Sequence, residues 1–378
     1  MAKQKGESEV PFWTSRRVID CDLHNEVPSL EVLKPYLADY WCAYIDESDF
    51  RGPDANDYPK GASISLQPNL RSLHGLPGEA NLSQLQKQVL DPLQVDYGLL
   101  NCAYRVQSVH DQDLALALSA AVNNWQVFNW LDPEPRLRAS IVVPSQNPVL
   151  AAREIDRWGE DARFVQVVMP VRSLSPYGNR VYDPIYEAAV RHDLVVGIQY
   201  GGSPGHPPTP SGWLSTYLEE YAAMAQVFQS QVISLIMEGV FDRFPSLRVS
   251  LIEGGFTWMP SLMWRLDKEW RGLRRDISWV KRPPSEYIRE HIRLSLQPVD
   301  SPMESNQLAQ IVGQLDSDEI LMFSTDYPHW HFDQLESAFP VGIPESLSLK
   351  ILGENAYTFY RLGEKSWRED GKVGSQRA

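Results

Sequence analysis

The chain has 378 residues, 43% of them hydrophobic and 22% charged, and its formal charge is 35 − 49 = −14. That composition belongs to an ordinary globular protein, and the length suits one α/β barrel with insertions better than a compact sandwich. So acidic a surface disfavours nucleic acid and anionic membranes as partners.

In chain order, the polar N-terminus MAKQKGESEV lacks the apolar core of a signal peptide. The first strand is expected at Val18–His24, followed by a long excursion over 26–91 rich in Pro, Gly, Asp and Asn that predicts short helices over a barrel mouth. The next strands fall at Val95–Asn101, Leu137–Val143 and Phe164–Met169, separated by helical patterns over Leu114–Trp130 and Pro148–Trp158. Pro184–His192 leads to a strand at Leu194–Tyr200 and a connection too rich in Gly and Pro for regular structure, YGGSPGHPPTPSGW. Leu214–Phe244 precedes the strand Val249–Glu253, Pro260–Arg275 precedes Ile292–Leu296, and Met303–Leu315 precedes Ile320–Thr325. A last helix is expected at Pro344–Arg361.

Most of these strands are β-branched and apolar on both sides, as strands of a helix-covered parallel sheet are. Repeated strand–helix alternation predicts an α/β fold, a (β/α)8 TIM barrel with loop insertions over its C-terminal face. It is expected as a single domain over 1–378 with its core at about 18–362. Both long connections follow strands, at the end where such barrels keep their chemistry. No apolar run is long enough to span a bilayer, and Cys21, Cys42 and Cys102 show no CxxC spacing. The expected location is a reducing cytoplasm.

The first strand ends Asp20-Cys21-Asp22-Leu23-His24-Asn25-Glu26. A period of two puts Asp20, Asp22, His24 and Glu26 on one face, toward the barrel interior. Buried acids are costly unless paired or bound to a cation. Asp22 and His24 therefore read either as two grips on one metal ion or as a turn cap and a satisfied core histidine. Glu253 closes the sixth strand before Gly254 and Gly255, and is either a site carboxylate or the partner of a barrel arginine such as Arg105 or Arg172. Gln199 is the polar residue at the same level on the fifth strand. Asp326 lies at the lip of the eighth strand, too far ahead of a helix expected near Asp333 to cap it, and His329 and His331 lie just beyond.

Trp13, Tyr44, Tyr200, Trp213, Trp258 and Trp330 fall at predicted strand ends and loops, a wall suited to an apolar or aromatic group. Trp264, Trp270 and Trp279 read instead as helix packing against the barrel. Arg105 and Arg172 are either carboxylate binders or structural ion pairs.

The D-x-H of Asp22 and His24, the run EGGFTWMPSLMWRLD from Glu253, and STDYPH from Ser324 together resemble the amidohydrolase-related family of the amidohydrolase superfamily. The resemblance runs from about Val18 to Leu362. That group contains metal-dependent hydrolases, aromatic-acid decarboxylases and hydratases. Its usual ligands are an H-x-H or acid-x-H pair, a histidine after strand five, another after strand six and an aspartate after strand eight. Asp22, His24 and Asp326 match, whereas Gln199 and Glu253 stand where histidines are expected, so the implied metal ligands are Asp22, His24, Gln199, Glu253 and Asp326. Val168-Met169-Pro170 offers no lysine for a bridged metal pair. The resemblance implies one divalent ion, or two, and the oxygen-rich set ranks Mn and Fe with Zn.

The activity expected from this is metal-dependent hydrolysis of an amide, ester or thioester of a small apolar or aromatic carbonyl substrate. Asp326, Glu253 and His329 would be its catalytic groups. Glu26, Arg105, Arg172, Tyr200, Trp213, Trp258 and Trp330 would face the substrate. The alternatives are non-oxidative decarboxylation of an aromatic acid, and a metal-free binding protein on the same fold. A homodimer is the expected assembly.

Overall fold

A computed structural model describes residues 16–54, 76, 78–202, 207, 209, 211–302, 304–329, 339–340 and 342–363, the side chains of 78–80 and 305 excepted. Its elements in chain order are β1 (Ile19–Leu23), α1 (Asp39–Ser48), α2 (Gly78–Leu85), β2 (Tyr97–Leu100), α3 (Gln112–Gln126), β3 (Leu137–Val142) and α4 (Pro148–Trp158). There follow β4 (Phe164–Pro170), α5 (Asp183–Arg191), β5 (Val195–Gln199), α6 (Tyr217–Met237), α7 (Val240–Arg243), β6 (Val249–Ile252) and α8 (Met259–Leu273). The series closes with α9 (Pro284–His291), β7 (Ile292–Ser295), α10 (Ser305–Gly313), β8 (Leu321–Met322), α11 (Glu345–Leu349) and α12 (Asn355–Tyr360).

The eight strands lie in sequence order, β1 to β8, and every adjacent pair is parallel. Between β8 and β1 the ladder is reduced to single bonds: the amide of Cys21 donates to Phe323 O at 2.9 Å, that of Asp326 to Asp22 O at 3.2 Å, and that of His24 to Tyr327 O at 2.9 Å. These bonds bring the sheet round into the expected (β/α)8 barrel. All eight strands sit where the alternation places them, trimmed by a residue or more at most ends.

The helices begin where the sequence supplies caps. Asp111 accepts from the amides of Asp113 and Leu114 at the start of α3, and Asn147 caps α4 with Pro148 in its first turn. Thr216 and Glu219 close a reciprocal capping box at α6. The stretch 214–244 expected as one helix is two, because Gly239 turns the chain at φ +70°. Helix α9 was not foreseen: it has only eight residues, opens on prolines, and its buried positions Pro284, Tyr287, Ile288 and His291 span just two turns.

Inside the barrel floor, Ile19, Leu99, Val165, Val195 and Met322 from five strands form one buried cluster with Phe359, Tyr360 and Leu362 of the C-terminal segment. Residues from so many strands meet only on the inner face, so the segment from α12 closes the bottom of the barrel. Burying each such side chain stabilises by about 1.5–3 kcal/mol. The β1–β2 register shifts between Asp20 and Leu23. This irregularity corrects the simple alternation read for β1: Cys21 joins the inner floor, and Asp20 turns to the β8 seam.

Of the tryptophans read as helix packing, Trp264 instead projects into solvent at 56% exposure, while Trp270 and Trp279 bond the carbonyls of Val280 and Met237. The three cysteines are free thiols. Among the described residues, no helix is long and apolar enough to cross a membrane.

Candidate active site

Four strand ends converge at the C-terminal mouth. Asp22 and His24 come from the end of β1, Gln199 ends β5, Glu253 follows β6, and Asp326 and His329 follow β8. Glu253 and Asp326 both hold left-handed backbone, at φ +61° and +59°. This conformation is uncommon outside glycine and costs on the order of 1–3 kcal/mol unless its surroundings enforce it. Here the Glu253 amide is held by Ser295 Oγ at 2.9 Å, and the Asp326 amide by Asp22 O. The strain aims both carboxylates inward rather than along their strands.

Around His24 Nε2 stand three carboxylate oxygens: Asp326 Oδ1 at 3.0 Å, Asp22 Oδ1 at 3.3 Å and Glu253 Oε1 at 3.3 Å. His329 Nδ1 reaches Asp326 Oδ1 at 2.7 Å and Glu253 Oε2 at 4.0 Å, and its ring centroid lies 4.1 Å from that of His24. The Gln199 amide nitrogen donates to Glu253 Oε1 at 2.9 Å. Asp22 is oriented from below, where Asn101 Nδ2 donates to its Oδ1 at 2.9 Å. Asn101 Oδ1 accepts from Ser140 Oγ and Gln166 Nε2, and Gln166 Oε1 accepts from Tyr360 Oη. A polar column thus runs from the floor of the barrel to the cluster. None of Asn101, Ser140 and Gln166 stood out in the sequence, because isolated amides and hydroxyls in apolar strands carry no motif.

Burial pushes the Glu253 carboxyl up to about 8, and the neighbouring Asp326 charge adds to the effect. Burial also opposes charge on Asp326, but His329 and His24 beside it outweigh that and hold it well below the usual carboxylate range. For His24, burial works against the imidazolium, and the Asp22 and Glu253 charges overcome it, so its pKa is raised. Two carboxyls of opposite proton affinity therefore stand side by side, the arrangement found where acid and base roles are divided.

The donor set fits a divalent cation. Ligand atoms of His24, Glu253, Asp326 and His329 all lie within 4.8 Å of one another. Ligands on opposite sides of an ion bound at about 2.0–2.2 Å are roughly 4.2 Å apart, so a contraction of a few tenths of an ångström completes the cage. Asp22 Oδ2 is buried with no hydrogen bond. Once the imidazoles and Glu253 give up their protons to act as ligands, three buried carboxylates leave a negative charge that a cation would balance.

The other site residues read from the sequence scatter. Arg172 forms a buried ion pair with Glu220 at 3.2 Å, and Arg105 donates to Tyr200 O at 2.7 Å, so the arginine partner considered for Glu253 is neither of them. Both arginines brace the turn after β5: a Cβ on Gly201, at φ +107°, would meet Arg105 at 2.8 Å, and one on Gly202 would meet Arg172 O at 2.5 Å. Tyr200 lies ring to ring with Tyr221 at 5.5 Å, and Tyr221 is close enough to Asp326 and Glu253 to feel their charge. Tyr221 was missed because it sits in a long helix with no local signal. Trp258 is half-buried and bonds Gly254 O, and Glu26 is half-buried above β1. Trp213 is 62% exposed, and Tyr44 is also exposed. Trp13, Trp330, His331 and Asp333 lie outside the described residues.

A parallel barrel whose strand ends converge on buried carboxylates and imidazoles defines a class, the barrel enzymes with metal-ligating residues at the C-terminal mouth. Within that class the chain belongs to the amidohydrolase superfamily: the amidohydrolase family matches residues 19–362. A curated relative, the gamma-resorcylate decarboxylase of Polaromonas sp., is 26% identical over 276 residues, covering 68% of this chain and 80% of that protein. An amidohydrolase of Mycobacterium avium subsp. paratuberculosis superposes with a TM-score of 0.68 at 20% identity, over 91% of this chain and 98% of its own. The Polaromonas dihydroxybenzoic acid decarboxylase, solved with bound manganese and the inhibitor 2-nitroresorcinol, has a TM-score of 0.61 at 22% identity, over 93% and 98%.

These relatives overturn the hydrolase expected from the sequence, because their chemistry is decarboxylation. Metal ligands on a barrel serve either reaction, so the ligand motifs could not separate the two.

Proposed function

We propose that this enzyme is a metal-dependent, non-oxidative decarboxylase of an aromatic acid. The observation that carries the reading is the buried cluster of His24, Glu253 and Asp326, with Asp22 beside it, in a chain whose curated relatives decarboxylate resorcylate. Manganese is the first ion to test, since the donor set is rich in oxygen and a structural relative carries it. Held by His24, Glu253 and Asp326, a divalent ion would supply positive charge to orient the substrate carboxylate.

The chain's own residues do the rest. Tyr200 and Tyr221 offer ring faces for stacking an aromatic substrate beside the carboxylates. Glu253 and Asp326 hold a proton between them, and one of them delivers it to the ring carbon. As the carbon–carbon bond breaks, its electron pair returns to the ring and meets that proton, and carbon dioxide leaves. A proton from water restores the pair.

The test supplies Mn²⁺-loaded protein with a panel of hydroxybenzoates and carboxyvanillates and measures carbon dioxide. The expected result is release from at least one of them. In heavy water the product should carry a single deuterium at the vacated ring position. Asp326→Asn should lower the rate by roughly 10²-fold or more. A fully metallated protein that releases no carbon dioxide from any acid of the panel would sink the proposal.

A further inference from the structure

The fifth and sixth strands, where the family's remaining histidines are expected, bring an amide and a carboxylate instead. One of the two imidazoles that this leaves missing stands elsewhere. We propose that His329, from the loop after β8, is a direct ligand of the metal through Nδ1, and that Gln199 is a support for Glu253 rather than a ligand. This rests on the metal-dependent reading above.

The case is geometric. His329 Nδ1 and His24 Nε2 flank the same oxygen, Asp326 Oδ1, at 2.7 and 3.0 Å. Glu253 repeats the bridge with its two oxygens, Oε1 at 3.3 Å from His24 and Oε2 at 4.0 Å from His329. Two carboxylates thus each span two imidazole nitrogens, the relation expected of four donors arranged around one ion. The rings, 4.1 Å apart between centroids, are brought together from opposite sides of the β1–β8 seam. The His329 amide donates to Asp326 O at 2.8 Å, which fixes the loop as a tight turn and ties this histidine's position to that of the aspartate.

Gln199 is placed differently. Its amide nitrogen, which cannot bind a cation, faces Glu253 Oε1 at 2.9 Å and His24 Nδ1 at 3.5 Å. It holds Glu253 in the direction of the cage, the orienting role that outer groups play at metal centres. The resulting site is two imidazoles and two carboxylates, with Asp22 as a further oxygen. That set favours manganese or iron over a histidine-rich zinc geometry.

The experiment loads wild type, His329→Gln and His329→Gly with Mn²⁺ alone, without substrate. It follows free Mn²⁺ by electron paramagnetic resonance and the nitrogen couplings of the bound ion by electron spin echo. His192→Gln, which alters an imidazole at the C-terminal end of α5, is the control, and thermal melting checks the fold. Wild type is expected to show couplings from two imidazoles. His329→Gln should bind at least about 30-fold more weakly and show one, since loss of even an outer partner costs about 10–100-fold. Added imidazole should restore binding to His329→Gly. A folded His329→Gln with wild-type affinity and both couplings overturns the inference while leaving the metal-dependent reading intact. A wild type that binds no Mn²⁺ overturns both.

Discussion

Asn101 illustrates how much of the candidate site is decided by single buried contacts. Its amide donates to Asp22 Oδ1 and to Cys21 O, and its carbonyl is held by Ser140 and Gln166. Asn101→Ala should free the Asp22 carboxylate to rotate and leave Ser140 and Gln166 short of an acceptor. Orienting partners of this kind are worth about 10–100-fold in metal affinity. Titration of Asn101→Ala with Mn²⁺ should show a loss in that range, and unchanged affinity would mean that Asp22 is held by its backbone alone. Glu253 and Asp326 are a similar case at the backbone level, since their left-handed φ values direct the side chains to the cluster. Glycine at either position would relax the strain and remove the carboxylate with it.

Among the elements, the β1–β8 seam is where the barrel is least regular and where ligands from both strands must meet. Asp20 takes the place of missing ladder bonds there. Its Oδ1 accepts from the amides of Asp22 and Thr325, at 3.1 Å each, and its Oδ2 accepts from Thr325 Oγ1 at 2.7 Å. Asp20→Ala would leave the amides of Asp22 and Thr325 buried without an acceptor and take the acceptor of the Thr325 hydroxyl, a cost on the order of 2–4 kcal/mol. Asp20→Asn, which keeps one acceptor oxygen, should lose less than half as much in urea unfolding. Equal losses would show that the carboxylate charge, rather than the bonds, closes the seam.

A second junction joins α3 to α4, where Glu154 Oε1 accepts from Asn123 and from the Trp158 indole. Burial pushes the Glu154 carboxyl up to about 7. A carboxyl whose folded pKa is raised contributes stability that is complete below the ordinary carboxylate value and is lost as pH climbs through about 7. Glu154→Gln should therefore gain on wild type by about 1–3 kcal/mol at pH 8 and by little at pH 4.5. Urea midpoints at the two values check the sign.

At the scale of the whole molecule, the barrel floor is closed by apolar packing from α12, while the mouth gathers acids that repel one another. A cation bound there should stabilise the fold as a ligand does, by about 2.7 kcal/mol at a hundred times its dissociation constant. Melting of chelator-treated protein should occur several degrees lower than that of Mn²⁺-loaded protein, and readdition of Mn²⁺ should restore it. Identical melting curves would mean that the cluster holds no ion in the folded state.

The sequence by itself determined the number and order of the strands, because eight apolar, β-branched runs separated by capped helical patterns leave few ways to bury both faces of each strand. It also marked Asp22, His24, Glu253 and Asp326, whose charge is out of place at the ends of apolar runs. It did not separate decarboxylation from hydrolysis, since both use the same ligands. What only the tertiary structure decided are the relations between strands distant in the chain. These are the convergence of His329 with His24 across the barrel seam, the turn of Gln199 toward Glu253, the capture of Arg172 by Glu220, and the column of amides beneath Asp22. The periodicity of a strand dictates which face a side chain takes, whereas its partner on that face comes from another strand and is set by closure of the barrel.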